Sequence, residues 1–363
     1  MKRLISAILL GAFTVIPLAG CGGPGTEFDG TNTTSSGDGK TLKIYNWGEY
    51  TGDNLLSNFE DEYDCTVIME TFDSNEMMYT KLEAGDQYDL LIPSDYMIQR
   101  LMKEDMLQPL DYGIIGNIDL LAEECSGLDY DPENEYSIPY FWGSVGIVYV
   151  KDKVDQADLE TQGWEILRDP KYKDRIYMYD SERDSFMVAL KALGYSMNTD
   201  NEDEIQEAYE WLIEQREAVK PIYVTDEIID NLLNENKDLG VMYSGDAAYV
   251  LSENDNLGYY EPQQGTNLWS DAMVIPKNAA NPELANEFIN YVLTYEASQD
   301  NTETVGYTSS NAEVFRDEAS EGGMFYQNEA YIPRSGYEKD EVFHDNETIR
   351  KILSDLWIKV KAG

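Results

Sequence analysis

The sequence predicts an α/β protein whose open, mostly parallel sheets are flanked by helices. Two patterns lead to this prediction. Short apolar runs of the kind found in buried strands alternate along the chain with stretches in which apolar residues recur at helical spacing. Strands and helices that alternate in this order are typical of βαβ units, which pair their strands in parallel. With 363 residues, 42% of them hydrophobic, the chain is long enough for about two domains with buried cores.

The first set of elements begins near residue 42. Leu55 and Phe59 fall on one face of the first predicted helix. Asp73 is expected to cap the second helix, because Glu76 stands three residues later, as in a capping box. Ser94 is expected to cap the third. The elements are strands LKIYNW at 42–47, TVIMETF at 66–72 and YDLLIP at 88–93, and helices over 53–63, 73–82 and from residue 94.

A second set of elements begins near residue 140, where an apolar run follows Phe141, Trp142 and Gly143. It again alternates strand and helix patterns. No internal repeat is present. The predicted strands are 145–150, 175–179, 239–243 and 272–276, and the predicted helices are 180–193, 203–218, one opening near 245, 282–294 and 346–361.

The start of the chain has the pattern of a secretory signal peptide over residues 1–20. Lys2 and Arg3 precede an apolar run that is shorter than the roughly 20 residues of a membrane span. Small residues followed at once by Cys21 resemble a bacterial lipoprotein signal, which implies that Cys21 carries lipid; the alternative is an ordinary signal peptide. Residues 21–40 are rich in Gly, Ser, Thr and Asp and predict a flexible tether.

The chain is strongly acidic, with 70 acidic residues against 26 basic ones and a formal net charge of −44. Such a charge repels nucleic acid and anionic lipid and favours cationic ligands. We therefore expect no nucleic-acid partner and contact with a membrane only through a lipid anchor. Acidic surfaces also serve solubility, so the charge by itself does not establish a cationic ligand.

The motifs of the common enzyme classes are missing from the sequence. There is a single histidine, His344, and no G-x-S-x-G, H-E-x-x-H or P-loop motif, and no G-x-G-x-x-G fingerprint follows the first predicted strand. Of the three cysteines, Cys65 and Cys125 remain after Cys21, and either a disulfide or two free thiols is possible. We expect no catalytic residue, no metal and no cofactor, and keep a secreted hydrolase that uses a pair of carboxylates as an alternative.

Aromatic and acidic residues gather where the predicted strands end. In open α/β sheets, ligands bind beyond the carboxyl ends of the strands. Ring faces attract ammonium groups and carboxylates make charge-assisted hydrogen bonds to them, so the pattern favours an organic cation. The residues are Trp47, Glu49, Tyr50, Ser94, Tyr96, Asp180, Asp184, Tyr243, Asp246, Trp269, Asp271 and Tyr307.

At these positions the chain resembles the polyamine-binding receptors of bacterial ABC transporters, which bind spermidine or putrescine. The resemblance extends in order over residues 41–363. The segments that carry it are YNWGEY at 45–50, FDSNEMMY at 72–79, YDLLIPS at 88–94, YSIPYFWG at 136–143, LWSD at 268–271 and GY at 306–307.

The resemblance implies a two-lobed fold like that of periplasmic binding proteins, with the ligand in the cleft between lobes that close by a hinge. The implied N-terminal lobe comprises 41–147 and 270–316, and the C-terminal lobe 148–269 and 317–363. The implied protein is a monomeric lipoprotein outside the bacterial cytoplasmic membrane. It delivers polyamine to the permease of an ABC importer, which a cytoplasmic ATPase drives. A receptor for a different solute and a polyamine sensor without transport remain alternatives.

The resemblance also implies a role for each candidate site residue. Glu49, Asp184 and Asp271 hold ammonium groups, and Ser94 makes a polar contact. The implied binding residues are Trp47, Glu49, Tyr50, Ser94, Tyr96, Ser181, Asp184, Tyr243, Trp269, Asp271 and Tyr307.

Several positions depart from the receptor pattern. Gly48 stands in place of a Thr, and Ser181 in place of a carboxylate. Asp184 is shorter than the usual Glu, and Tyr243 replaces a Trp. Phe343 lies near an expected Gln. Polyamine binding is the expectation, and the preferred chain length stays open.

Overall fold

The computed structural model describes residues 40–225 and 227–362. The predicted signal peptide, Cys21 and the tether up to residue 39 lie outside this part of the chain. Within it, no helix is both long enough and apolar enough to cross a membrane.

The described chain alternates strands and helices, as predicted. The strands are β1 Lys40–Trp47, β2 Cys65–Phe72, β3 Leu90–Leu91, β4 Ser137–Val150, β5 Ile176–Tyr179, β6 Ile222–Val224, β7 Leu239–Tyr243, β8 Leu257–Tyr260, β9 Leu268–Val274 and β10 Thr308–Ser309. The helices are α1 Leu55–Tyr63, α2 Asn75–Glu83, α3 Asp95–Lys103, α4 Gln156–Gln162, α5 Glu182–Leu193, α6 Glu202–Val219, α7 Glu227–Leu233, α8 Ser244–Glu253, α9 Pro282–Val292, α10 Tyr295–Val305, α11 Ala312–Ala319 and α12 Glu347–Ala362.

The strands form one continuous sheet in the order β2-β1-β3-β9-β4-β7-β5-β6, with β8 and β10 paired to β4. Pairing is parallel near both ends, between β1 and its neighbours β2 and β3 and between β5 and its neighbours β6 and β7. It is antiparallel in the middle, where β4 pairs with β9 and β7 and where β9 meets β3. The sheet is therefore mixed, whereas the periodicity predicted mostly parallel sheets.

Strand β4 joins the two halves of the sheet. Its residues 137–144 pair with β9, and its residues 145–150 pair with β7 and β8. All 14 of its residues are buried. The register shifts between Pro139 and Phe141, where proline cannot donate a ladder hydrogen bond.

Two of the predicted helix caps differ in the structure. Asp73 does not cap α2; the Ser74 side chain accepts from the Met77 N–H instead, and the helix begins one residue later than an Asp73 cap would give. Ser94 occupies the cap position of α3, but its hydroxyl makes no capping hydrogen bond. This hydroxyl is used elsewhere, as described below.

The third predicted strand is shorter than its apolar run. Only Leu90 and Leu91 belong to the ladder. The preceding Asp89 is buried and turns its carboxylate to the backbone N–H groups of Lys43 and Asn281, at 2.9 and 2.7 Å. The Asp89 side chain therefore links two neighbouring segments of the chain, and Asp89 does not extend strand β3.

Both described cysteines are free thiols. Cys125 is buried and Cys65 partly buried. Of the two alternatives that the sequence left open, free thiols are therefore the one found.

Candidate functional site

Polar and aromatic side chains from separate segments meet beside the centre of the sheet. We call this group the aromatic–acid cluster. It brings together eight of the eleven predicted binding residues, with three further members. The cluster consists of Tyr50, Asn75, Ser94, Tyr96, Tyr179, Asp184, Tyr243, Asp246, Trp269, Asp271 and Tyr307.

Asp271 is a buried carboxylate on β9, with 8% of its surface exposed. The Tyr50 hydroxyl donates to its Oδ2 at 2.9 Å, and Ser94 faces it across an isolated β-bridge. Burial raises the pKa of Asp271 to about 6, and the hydrogen bonds from Ser94 and Tyr50 oppose that rise. Within residues 40–225 and 227–362, Asp271 takes part in none of the ion pairs to Lys or Arg. Its charge is thus buried beside neutral donors only.

A wall of aromatic rings adjoins Asp271. The Trp269 and Tyr307 ring centroids lie 5.4 Å apart, and so do those of Tyr50 and Tyr307. Tyr243 meets Trp269 edge-on at 6.1 Å and stacks on Tyr179 at 4.6 Å. The Trp269 indole N–H donates to a β4 carbonyl at 3.1 Å, which fixes the ring. Ring faces held beside a buried carboxylate form a setting that attracts an ammonium group and covers its methylene stem.

A second carboxylate, Asp184, is held at the start of α5. The Ser181 hydroxyl donates to Asp184 Oδ2 at 2.7 Å and accepts from the Asp184 N–H at 3.3 Å, so it caps the helix. The Tyr243 hydroxyl donates to the same Oδ2 at 2.7 Å. Ser181 therefore positions Asp184, which is a different role from the ligand contact that the resemblance implies.

A third carboxylate, Asp246, lies in the first turn of α8. The Tyr307 hydroxyl donates to its Oδ1 at 3.0 Å, and the Tyr179 hydroxyl donates to its Oδ2 at 3.2 Å. Neither Tyr179 nor Asp246 is among the predicted binding residues. Asp246 carried a usable signal, since it follows a predicted strand, whereas Tyr179 is the last residue of an apolar strand and is indistinguishable there from core.

Ser94 and Tyr96 are linked by Asn75, which the sequence did not single out. The Asn75 side-chain amide donates to Ser94 Oγ at 3.1 Å and to Tyr96 Oη at 2.9 Å. The Ser94 hydroxyl thus serves this network and Asp271 instead of capping α3. Asn75 opens α2, so the network connects two helix starts.

Another buried acid, Asp95, lies directly beside the cluster. It accepts from the backbone N–H groups of Tyr96 at 2.6 Å and Ser270 at 3.3 Å. Burial raises the pKa of Asp95 to about 7, and the nearby charge of Asp271 adds to the rise. Two buried acids with raised pKa values therefore lie close together.

Two glycines allow the backbone to approach the rings. A Cβ at Gly245 would overlap the Tyr307 ring. A Cβ at Gly143 would come within 2.5 Å of the Trp269 ring. Any larger residue at either position would displace a ring of the wall.

Trp47 and Glu49 are predicted binding residues that the structure does not bring into the cluster. Trp47 packs on Phe72 with a ring-centroid distance of 4.5 Å, because β1 and β2 pair in a register that sets these two residues side by side. Glu49 is exposed, with φ of 51°.

Comparison with known proteins gives a consistent family. Residues 54–327 match the family of bacterial extracellular solute-binding proteins. The chain is 32% identical over 339 residues to a spermidine/putrescine-binding periplasmic protein of Salmonella typhimurium, covering 92% of this chain and 95% of that one.

Two solved structures are similar over most of the chain. One is a spermidine/putrescine ABC transporter substrate-binding protein of Streptococcus pneumoniae, with a TM-score of 0.74 and 38% identity, covering 89% of this chain and 98% of that one. The other is a lipoprotein of Treponema pallidum, with a TM-score of 0.76 and 25% identity, covering 88% of this chain and 99% of that one.

Proposed function

The chain belongs to the family of bacterial extracellular solute-binding proteins, whose members bind solutes rather than convert them, and we propose that its solute is a polyamine. The relatives named for spermidine and putrescine support this assignment. The receptor captures the cation outside the cytoplasm and passes it to the permease of an ABC importer.

The observation that carries the proposal is the environment of Asp271. This carboxylate is buried, hydrogen-bonded by Tyr50 and walled by Trp269 and Tyr307. Burying a charge without a counter-ion is costly, and an ammonium group placed here would remove that cost. Asp184, held by Tyr243, offers a second carboxylate for another amine of the same ligand.

The proposed binding residues are those named by the resemblance, with Tyr179 and Asp246 added. Glu49 and Trp47 remain part of this proposal as contacts at the rim. Asp246 holds Tyr307 in place, and Tyr179 backs Tyr243. The aromatic rings cover the methylene stems while the carboxylates select the amines.

The mechanism is capture between two lobes that close on the ligand. The proposed lobes are 41–147 with 270–316 and 148–269 with 317–363. The change of partners along β4 supports this division, since 137–144 pair with β9 and 145–150 with β7 and β8. The cluster draws residues from both proposed lobes, so a ligand bound there would hold them together.

We also propose that the protein is anchored to the membrane through Cys21. After removal of residues 1–20, Cys21 carries lipid and tethers a monomer to the outer face of the cytoplasmic membrane. The likeness to a solved lipoprotein of Treponema pallidum supports this. Metabolic labelling with a radioactive fatty acid tests it: the wild-type chain takes up label and the Cys21→Ser variant does not. Equal labelling of the two, or none in either, contradicts the anchor.

Calorimetric titration of the full chain carrying Cys21→Ser tests the ligand. We expect one-to-one binding of putrescine, spermidine or spermine, and none of glutamate or a neutral sugar. If the chain binds glutamate or the sugar instead of the amines, its solute is not a polyamine. If it binds none of these compounds, the proposal is refuted.

Uptake separates a transport receptor from a sensor. Cells that lack the chain should accumulate less radiolabelled polyamine, and the wild-type chain should restore uptake while Asp271→Asn does not. If polyamine binds the purified chain and uptake is unaffected by its loss, the protein is a receptor without transport.

A further inference from the structure

Arg183 places a guanidinium group at one end of the aromatic–acid cluster. Its Cζ lies 3.3 Å from the centre of the Tyr96 ring, and its Nη2 lies 3.4 Å from Glu76 Oε1. The Phe343 ring is 5.4 Å away. The Arg183 side chain is three-quarters buried, at 24% exposure, so the guanidinium is an element of the site rather than a surface charge.

The Arg183 guanidinium has the same kinds of neighbours that the cluster would provide for an amine of the ligand. An aromatic face, a carboxylate and a second ring also surround the space beside Asp271. Stacking on Tyr96 and pairing with Glu76 are the interactions that an ammonium group would use at the same place. Arg183 therefore occupies a position suited to a ligand cation.

The position is continuous with the rest of the cluster. Arg183 directly precedes Asp184 on α5, and Tyr96 is linked through Asn75 to Ser94, which faces Asp271. A polyamine lying along Asp271, Trp269 and Asp184 would meet the guanidinium as it extended toward Tyr96. A short diamine has no further charge to place there, whereas a longer polyamine has one.

We propose that Arg183 is a specificity-determining residue, a built-in cation that competes with the additional amine of a longer polyamine and so favours diamines. The inference rests on the proposed function and adds the ligand class that the site prefers. The departures of Ser181 and Asp184 from the receptor pattern act in the same direction, because each leaves less carboxylate near α5 for an extra amine.

Titration of the Arg183→Gln variant with putrescine, spermidine and spermine tests the proposal. Removing the guanidinium frees the Tyr96 face and Glu76 for a ligand amine. We expect the ratio of spermidine to putrescine affinity to rise by about 3- to 30-fold, the range of a cation–π contact. Arg183→Lys keeps the positive charge but loses the planar stack, and should raise the ratio less.

Arg100→Gln is the matched control. The Arg100 guanidinium stacks on Tyr79 at 3.4 Å and pairs with Glu104 at 3.1 Å, outside the cluster. Its loss should leave the affinity ratio unchanged, while thermal unfolding checks that each variant is folded.

Two results would overturn the inference. If Arg183→Gln changes all three affinities by one common factor, Arg183 merely supports the fold or the closed state. If the wild-type chain binds no polyamine at all, the proposed function fails and the inference with it. In the first case the wild-type chain still binds polyamine, so the inference alone is refuted and the proposed function stands.

Discussion

The Tyr50 hydroxyl donates a hydrogen bond of 2.9 Å to the Asp271 carboxylate, across 221 positions of sequence. Both partners are buried, and burial raises the pKa of Tyr50 above its ordinary value, with the Asp271 charge adding to the rise. The pair joins the turn after β1 to the middle of β9. It holds the carboxylate in one orientation before any ligand arrives, which lowers the cost of binding.

Replacing Asp271 by Asn should weaken polyamine binding about 30-fold or more, because losing one partner of a buried charge pair costs roughly 2–5 kcal/mol. Calorimetric titration measures the loss. Asp61→Asn, at an exposed position on α1, is the control and should leave affinity unchanged. Equal affinities in wild type and Asp271→Asn would place the ligand elsewhere.

The same substitution should stabilise the empty protein at neutral pH. The pKa of Asp271 is raised to about 6, so the folded chain binds a proton that the unfolded chain releases near pH 4, its ordinary range. Stability is therefore lost as pH rises from about 4 to about 6, and the full cost, on the order of 3 kcal/mol, persists above that. Asp271→Asn removes this step. Urea unfolding at pH 5 and pH 8 checks it, and a variant less stable than wild type at pH 8 contradicts it.

Polyamine binding should tighten as pH rises from 5 to 7. The ligand amines stay protonated over this range, whereas Asp271 and Asp95, with pKa values raised to about 6 and about 7, lose their protons. Each pH unit below the pKa of Asp271, the proposed contact to an ammonium group, weakens binding about tenfold. Titrations in buffers of different ionisation enthalpy should reveal proton release at pH 6. Affinity that stays flat from pH 5 to 7 would mean both carboxylates are already ionised.

Gly245→Ala should disturb the ring wall, since the added methyl would overlap Tyr307. We expect a loss of about 1–3 kcal/mol in stability, the usual cost of overpacking, together with weaker polyamine binding. Thermal unfolding and titration measure the two effects. Gly116→Ala, where a Cβ would meet nothing within 4 Å, should change neither. Identical behaviour of the two variants would show that Tyr307 can move freely.

Reductant should leave the thermal unfolding midpoint of the Cys21→Ser variant unchanged, because Cys65 and Cys125 are free. A thiol reagent should label Cys65 in the native protein and Cys125 only after unfolding, since Cys125 is fully buried and burial raises its pKa. A midpoint that falls by several degrees with reductant would contradict free thiols, because losing a disulfide costs roughly 2–4 kcal/mol.

The sequence predicted the order of the main strands and helices because hydrophobic periodicity is local. The antiparallel middle of the sheet was not predictable, since the pairing of β4 with β9 joins residues more than 120 positions apart along the chain, such as Ser137 and Val274. Asp73 and Ser74 are both residue types that suit a helix cap, and only the backbone angles decide between them.

Most of the eight predicted site residues in the cluster follow or end a strand, as the sequence pattern predicted, whereas Trp269 and Asp271 lie within β9. The sequence did not predict Tyr179 and Asn75 as site residues. Tyr179 ends a strand and Asn75 begins a helix, and the local pattern at each position indicates no more than that. Ser181 caps α5 and holds Asp184, and its predicted contact with the ligand stays a prediction. Whether Trp47 and Glu49 contact the ligand remains a prediction.

The path of β9 constrains the order in which this chain can fold as it emerges from synthesis or export. This strand lies between β3 and β4, both of which appear more than a hundred residues earlier. Until residue 274 has emerged, the first half of the sheet has a gap at its centre, with unpaired backbone groups on either side. A chain stopped before Leu268 would therefore lack the strand that joins β3 to β4, although both of these strands have already been made. Pairing between segments so far apart along the chain is characteristic of slow folding.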